Sequence, residues 1–256
     1  MFLNTKVNPS HEKRKSHMLW TAPRCVGTAF ELMVESRGDF QIEVNLFDSV
    51  FYFVDRLGLD KPRAAPSAEL ESFESIFHRQ VELRKHEAVF YRNAAYTAIG
   101  HVGEVNWSNL NHTFLIRDPR KALPSHKKFV ETITVEEAGY VAQYALYEFL
   151  ARSTSRRPIV IDADDLLRDP AAIVESWCRV SGLDFIPSSL SWRPGFRSRW
   201  GLWKEWKAEV ATSSGFISPQ TTEIEFDLEG IDKDLLETCL NYYRALHKHR
   251  IQGRIS

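Results

Sequence analysis

Cysteine is scarce in this chain: Cys25, Cys178 and Cys239 are the only three among 256 residues. They are too few and too scattered for a disulfide framework or a closed zinc site, and a reducing cytoplasm is the expected setting. Long apolar runs are missing too. No stretch is long enough to span a bilayer, and the opening "MFLNTKVNPSHEKRKSH" lacks the apolar centre of a signal peptide. A soluble protein with no membrane partner is therefore expected. Neither sign of charge dominates, because 33 Lys and Arg stand against 34 Asp and Glu, for a net charge of −1. That balance argues against a nucleic-acid-binding surface, while leaving room for one deep basic pocket. Internal repeats and low-complexity tracts are absent. No cluster of His, Cys and carboxylates suggests a metal, and none is expected.

What is present is enough apolar sequence, 43% of residues, for a sizeable core. Five β-rich runs, at 17–22, 39–47, 88–92, 112–117 and 158–162, are each followed by helical or polar sequence. The first leads into a helix from about Thr28 to Ser36 that stops at Gly38. The fourth and fifth are followed by the same helix start, Asp118–Pro119 and Asp169–Pro170, an N-cap with proline at the first position. Between them Ala138, Val141, Ala142, Ala145, Leu146 and Phe149 keep the spacing of one buried helix face. A last helix is expected over Lys233 to His247. Strands alternating with helices predict an α/β fold, a single domain with a doubly wound parallel sheet of about five strands flanked by helices. It spans residues 1–256, with 1–16 as a flexible N-terminus. Residues 190–230 carry Trp192, Trp200, Trp203 and Trp206 among Arg193, Arg197, Arg199, Lys204 and Lys207, and are expected to form a flap over the sheet edge.

Ligands of such sheets sit at the C-terminal strand ends. After the first strand comes "TAPRCVGTAF", a Gly-containing loop opening a helix, where the backbone N–H groups of Cys25, Val26, Gly27, Thr28 and Ala29 suit an anion. Arg24 adds a bidentate cation and Thr28 a hydroxyl. A Walker loop needs a lysine just before the hydroxyl; Gly27 stands there instead, against ATP or GTP hydrolysis. After the fourth strand, "FLIRDPRKALPSH" places Arg117 at the strand end and Ser125 eight residues later on the helix, a second pair suited to a phosphate.

In order and spacing these segments, with "IVIDADDLLRDPAAIVESWCRVSGLDF" at 159–185, resemble the sulfotransferases that use 3′-phosphoadenosine 5′-phosphosulfate (PAPS). The resemblance runs from residue 17 to about 216 and is nearest to a bacterial-type, small-molecule branch. It implies a P-loop-like fold, with the 5′-phosphosulfate on Arg24 and Cys25–Ala29, the 3′-phosphate on Arg117 and Ser125, and no metal. The acceptor would be a hydroxyl or N-hydroxyl of a small molecule such as a secondary metabolite. Arg92, at the third strand end, lies near the family's lysine that contacts the transferring group. The aryl enzymes' histidine falls on Ala94 here and their adenine-side tyrosine on Ala163. A His-Glu pair seen after the second strand in bacterial relatives falls on Val44 and Asn45. The C-terminal Arg-Lys-Gly element is missing, leaving Arg193, Arg197, Arg199 or Lys204 to replace it.

The acceptor hydroxyl must lose a proton as it attacks, which calls for a base. His101, the nearest downstream histidine, and Glu31, one turn past Thr28, are equal candidates, with Asn93 and Asp48 as further ones. A P-loop-type kinase and a PAPS-binding protein without catalysis stay open as alternatives. Monomer and homodimer are both compatible with the sequence.

Overall fold

The computed structural model describes residues 15–52, 71–217 and 228–253. Most of the expected flexible N-terminus, residues 218–227 of the expected flap, the polar stretch 60–69 and the side chain of Trp203 lie outside the described residues. Five strands, β1 (His17–Thr21), β2 (Gln41–Val44), β3 (Val89–Ala94), β4 (Asn111–Ile116) and β5 (Ile159–Asp162), form one parallel sheet in the order β2-β3-β1-β4-β5. Helices cover both faces, so β1 and β4 are buried along their whole length. That double burial is why these strands read as apolar runs rather than as alternations. Successive side chains still point to opposite faces. Met18 and Trp20 join a core with Phe47, Phe77, Trp107 and Leu146, while Leu19 joins Phe30, Phe90, Trp177 and Trp200 on the other.

The helix-start and helix-stop signals act where the sequence has them. Helix α1 (Gly27–Arg37) ends on Gly38 at φ 74°, a left-handed turn that glycine adopts without strain. Asp118 caps α2 (Pro119–Lys127) by accepting from Arg120 N. Asp169 caps α4 (Pro170–Ser181), and Asp232 caps α5 (Lys233–His247). Between them lies α3 (Tyr140–Ser153).

Several boundaries and one face differ from expectation. β2 is four residues long because Asn45 turns to φ 58°, its N–H giving the last sheet bond to Arg92 O at 2.8 Å. β3 runs on to Ala94, and Arg117 sits one residue beyond β4. Ser16, at the end of the expected flexible stretch, is buried and bonds through Oγ to Glu87 O at 3.0 Å. Gly139 at φ 82° detaches Ala138 into a separate turn, so α3 buries Ala142, Gln143, Leu146, Tyr147 and Leu150, with Ala145 exposed. The polar member, Gln143, rotates the face because its Nε2 donates to Leu115 O in the sheet at 3.0 Å.

The Trp-rich segment folds back against α1. Ser191 pairs with Gly215, Trp192 N donates to Ser214 O, and Ser36 Oγ donates to Ser191 O at 2.7 Å. Trp192 and Trp200 are core residues, the latter fully buried. Among the described residues no helix is long and apolar enough to cross a membrane.

One side chain joins β5 to two helices. Asp162 Oδ1 accepts from the N–H groups of Asp164 and Asp165 at 2.9 and 3.1 Å, and Oδ2 accepts from Tyr243 OH of α5 at 2.9 Å. Asp162→Ala is expected to lower unfolding free energy by about 1–3 kcal/mol, since it strips a cap and orphans a phenol. Asp162→Asn, which keeps one capping oxygen, should cost less; urea denaturation of the three proteins checks the order.

Candidate active site

Strand order reverses about β1, with β3 on one side and β4 on the other, so the ends of these three strands open a crevice. A cleft of about 1890 Å³ lies there, lined by the loop after β1, the ends of β3 and β4, α2 and the segment from Arg199 to Ile217. That volume exceeds the range of about 300–1,000 Å³ usual for one small ligand.

The loop is bent by two non-glycine residues in the left-handed region, Arg24 at φ 63° and Val26 at φ 54°. Such residues cost about 1–3 kcal/mol each and persist where surrounding structure demands them. Val26 occupies the N-cap of α1 and supplies no side-chain cap. The first N–H groups of α1 are thus left to whatever enters the cleft, at the positive end of the helix dipole. A Cβ on Gly27 would stand 2.7 Å from Thr21 Cγ2 and 3.4 Å from the Arg92 side chain. A side chain at this position would force Thr21 to shift, which gives a physical reason for glycine where a Walker loop has lysine. Thr28 lines the cleft, whereas the Cys25 side chain is buried. Burial pushes the Cys25 thiol up to about 12, so it stays protonated and inert.

On the β4 side the structure brings Arg24, Arg117 and Ser125 together. Arg24 Nε donates to Ser125 Oγ at 2.8 Å, and Arg117 Nη1 donates to Arg24 O at 2.8 Å. Asp118 is taken by Arg120, not by Arg117. Arg117 Nε is buried with no partner among the described residues. Arg24 lines the cleft and is joined to the pair after β4. Its Nη1 donates to Trp206 O at 2.8 Å, and its guanidinium lies 4.8 Å from the centre of the Phe129 ring.

On the β3 side a buried carboxylate gathers the cations. Glu31 is fully buried; its Oε2 accepts from Arg92 Nε at 2.8 Å, and its Oε1 accepts from Arg199 Nε at 2.7 Å and Trp200 Nε1 at 2.9 Å. Burial alone raises its carboxyl, but Arg92, Arg199 and Lys207 outweigh that and hold it below the usual range. Arg199 also donates to Glu35 at 2.6 Å, as does Arg197 at 2.7 Å.

Arg92 lines the cleft, and the two expected bases do not. Glu31 lies behind the wall with both oxygens occupied. His101 sits outside the cleft, its Nδ1 2.9 Å from Glu104 Oε1 and its ring stacked 4.9 Å from Phe73. Asp48 lines the cleft; Asn93 is buried, donating to Met18 Sδ. Of the four cations proposed to replace the missing C-terminal element, only Arg199 lines the cleft; it is paired with Glu31 and Glu35 but keeps a buried Nη2 without a partner among the described residues, whereas Arg197 is paired with Glu35. Two cleft residues escaped sequence reasoning. His126, one helix position past Ser125, is buried against Arg24, and burial and then that cation pull it down to about 4. Lys207 was one more cation in the Trp/Arg-rich segment, with nothing in its spacing to distinguish it.

Residues 16–250 match a family described as sulfotransferase domain. The chain belongs to that family. Two Arabidopsis thaliana proteins, branched-chain-amino-acid aminotransferase-like proteins 2 and 1, are each 29% identical to it over 236 and 243 residues, covering 90% of this chain. The chain spans 41% of the length of each. Its fold is similar to that of the sulfotransferase domain from the Synechococcus PCC 7002 olefin synthase, with a TM-score of 0.57 at 16% identity, covering 90% of this chain and 96% of that one. A sulfotransferase domain implies a sulfonate donor. Among the described residues no group of three or more His, Cys, Asp and Glu is placed to hold a metal.

The Glu31 cluster makes a pH-dependent contribution to stability. Its carboxyl titrates below the ordinary 4.5 in the folded protein, so the stabilisation is present above that value and is lost as pH falls through the lower, folded value. Glu31→Gln is expected to cost about 3–5 kcal/mol at neutral pH, because it leaves buried cations uncompensated. The gap from the unaltered protein should narrow below about pH 4.5, as read from urea midpoints across pH.

Proposed function

We propose that this sulfotransferase domain moves a sulfonate from PAPS to a hydroxyl or N-hydroxyl of a small molecule. The observation that carries the reading is a strained, uncapped loop with cations on both sides, each side holding buried nitrogens without partners among the described residues. Arg117 stands at the β4 end, beside Arg24 held against Ser125, and Arg92, Arg199 and Lys207 stand at the β3 end. Those strands flank β1 and lie about 10 Å apart at a strand spacing of about 4.8 Å. A nucleotide with anions at its 3′ and 5′ positions matches that division; ATP and GTP, with a single phosphate chain, use only one side of it.

The residues then divide the labour. Arg117 and Ser125 hold the 3′-phosphate, with Arg24 fixed behind Ser125. The N–H groups of Cys25 to Ala29 and the Thr28 hydroxyl hold the 5′-phosphate and receive the charge that develops on it as the sulfonate departs. Arg92 faces the transferring group. Positioning and positive charge supply most of the rate in such a transfer, as in phosphoryl transfer. The segment from Arg199 to Ile217 roofs the cleft as a flap, tied down by the bond from Arg24 to Trp206 O.

A binding protein without turnover remains the second reading, favoured by one observation: neither His101 nor Glu31 opens on the cleft. Transfer of labelled sulfonate from PAPS to any member of a hydroxyl panel would dismiss it.

3′,5′-Adenosine bisphosphate is expected to raise the melting temperature by several degrees, while ATP and AMP leave it nearly unchanged. Equal stabilisation by ATP would overturn the donor assignment. Arg117→Ala should weaken the bisphosphate about ten- to hundredfold, as loss of a charge-assisted hydrogen bond does, and leave AMP binding alone. Calorimetric titration of both nucleotides checks this.

A further inference from the structure

Lys207 differs from every other cation in the cleft. It is 6% exposed, and its Nζ has no hydrogen-bond partner among the described residues. Its ammonium lies 5.5 Å from the centre of the Trp200 ring. A buried ammonium normally demands a carboxylate. The nearby one, Glu31, has both oxygens occupied by Arg92, Arg199 and Trp200. Arg92 Nη2 and Arg199 Nη2 are also buried without partners. Three cationic side chains thus gather about the inner carboxylate of Glu31, Glu35 pairing with Arg199 from the outer side, and three nitrogens stay unspent beside the open N-terminus of α1. The position of Lys207 is imposed from the adjacent residue, because Trp206 O is pinned by Arg24 Nη1 at 2.8 Å.

Building on the donor reading above, we propose that Arg92, Arg199 and Lys207 form the subsite for the sulfonate end of the donor, and that Lys207 takes up a proton as this anion arrives. The charged or titratable groups acting on it come from four elements: Glu31 on α1, Asp48 after β2, Arg92 on β3 and Arg199 on its own segment. In the protein alone, burial and then Arg92 pull the ammonium down to about 7, with Arg199 adding to them and Glu31 and Asp48 opposing. A sulfonate supplies the missing counter-charge and restores the ammonium toward its ordinary 10.5. Proton uptake therefore accompanies binding above about pH 7, and affinity for PAPS falls by up to ~tenfold per pH unit there. 3′,5′-Adenosine bisphosphate has no sulfonate and serves as the internal control.

The test is titration calorimetry of PAPS and of the bisphosphate at about pH 8.5, in buffers of differing ionisation enthalpy, where the linkage predicts most uptake. PAPS should bind with uptake approaching one proton and the bisphosphate with distinctly less. Lys207→Arg, a cation at every accessible pH, should bind PAPS without that uptake and with a flat pH profile. Lys207→Met, of similar length and apolar, should weaken PAPS about tenfold or more and the bisphosphate about threefold or less, with its melting temperature reporting that it folds. Equal weakening of both ligands, or the same uptake in Lys207→Arg as in the unaltered protein, would overturn the Lys207 assignment alone. Failure of the unaltered protein to bind either ligand would overturn the donor reading, and this subsite with it.

Discussion

The buried carboxylate of Glu31 is the interaction on which the arrangement of the cleft depends. It sits on α1, the helix that begins at the bent loop, and it draws in Arg92 from β3 and Arg199 and Trp200 from the late segment. One side chain therefore ties the sheet, the loop's helix and the late segment lining the cleft together. Cations so placed would repel one another without it. With it they are held close but remain undercompensated, a state that favours an incoming anion. A surface ion pair does little of this, because water screens it; a fully buried carboxylate with three donors cannot be replaced by solvent.

The loop after β1 works by the complementary device, which is to leave backbone groups unspent. Val26 and Arg24 are held in left-handed conformations, and the helix they introduce has no side-chain cap. A side chain at position 27 would force Thr21 to shift. The positive charge that a Walker loop carries within itself is therefore distributed over Arg24, Arg92, Arg117 and the late segment. A cleft with cations on both sides of the loop suits a ligand with anions at both ends.

The parallel sheet and the capped helices were legible in the sequence because they rest on local chemistry. Asp118–Pro119 and Asp169–Pro170 both start helices, since an oxygen side chain accepts the free N–H groups and proline needs no donor. Gly38 and Gly182 end helices because they adopt left-handed φ without cost. Double burial makes strands into apolar runs. The buried face of α3 departs from the apolar pattern for an equally physical reason: periodicity counts apolar residues, and Gln143 enters the core on the strength of a sheet carbonyl that no local pattern reveals.

The sequence by itself determined the order of the elements, the Gly-containing loop that opens α1, and the spacing of Arg117 and Ser125. Only the tertiary structure decided which side chains meet. Arg24 turns to Ser125, 101 residues away, and Glu31 binds Arg199, 168 residues away. His101, adjacent in the chain to residues after β3, faces Glu104 and Phe73 instead of the cleft. Lys207 became distinctive only through burial beside a carboxylate already taken. Local motifs are set by bonds within a few residues. Pairing, burial and charge balance are set by which distant segments pack together, and the site is made of those.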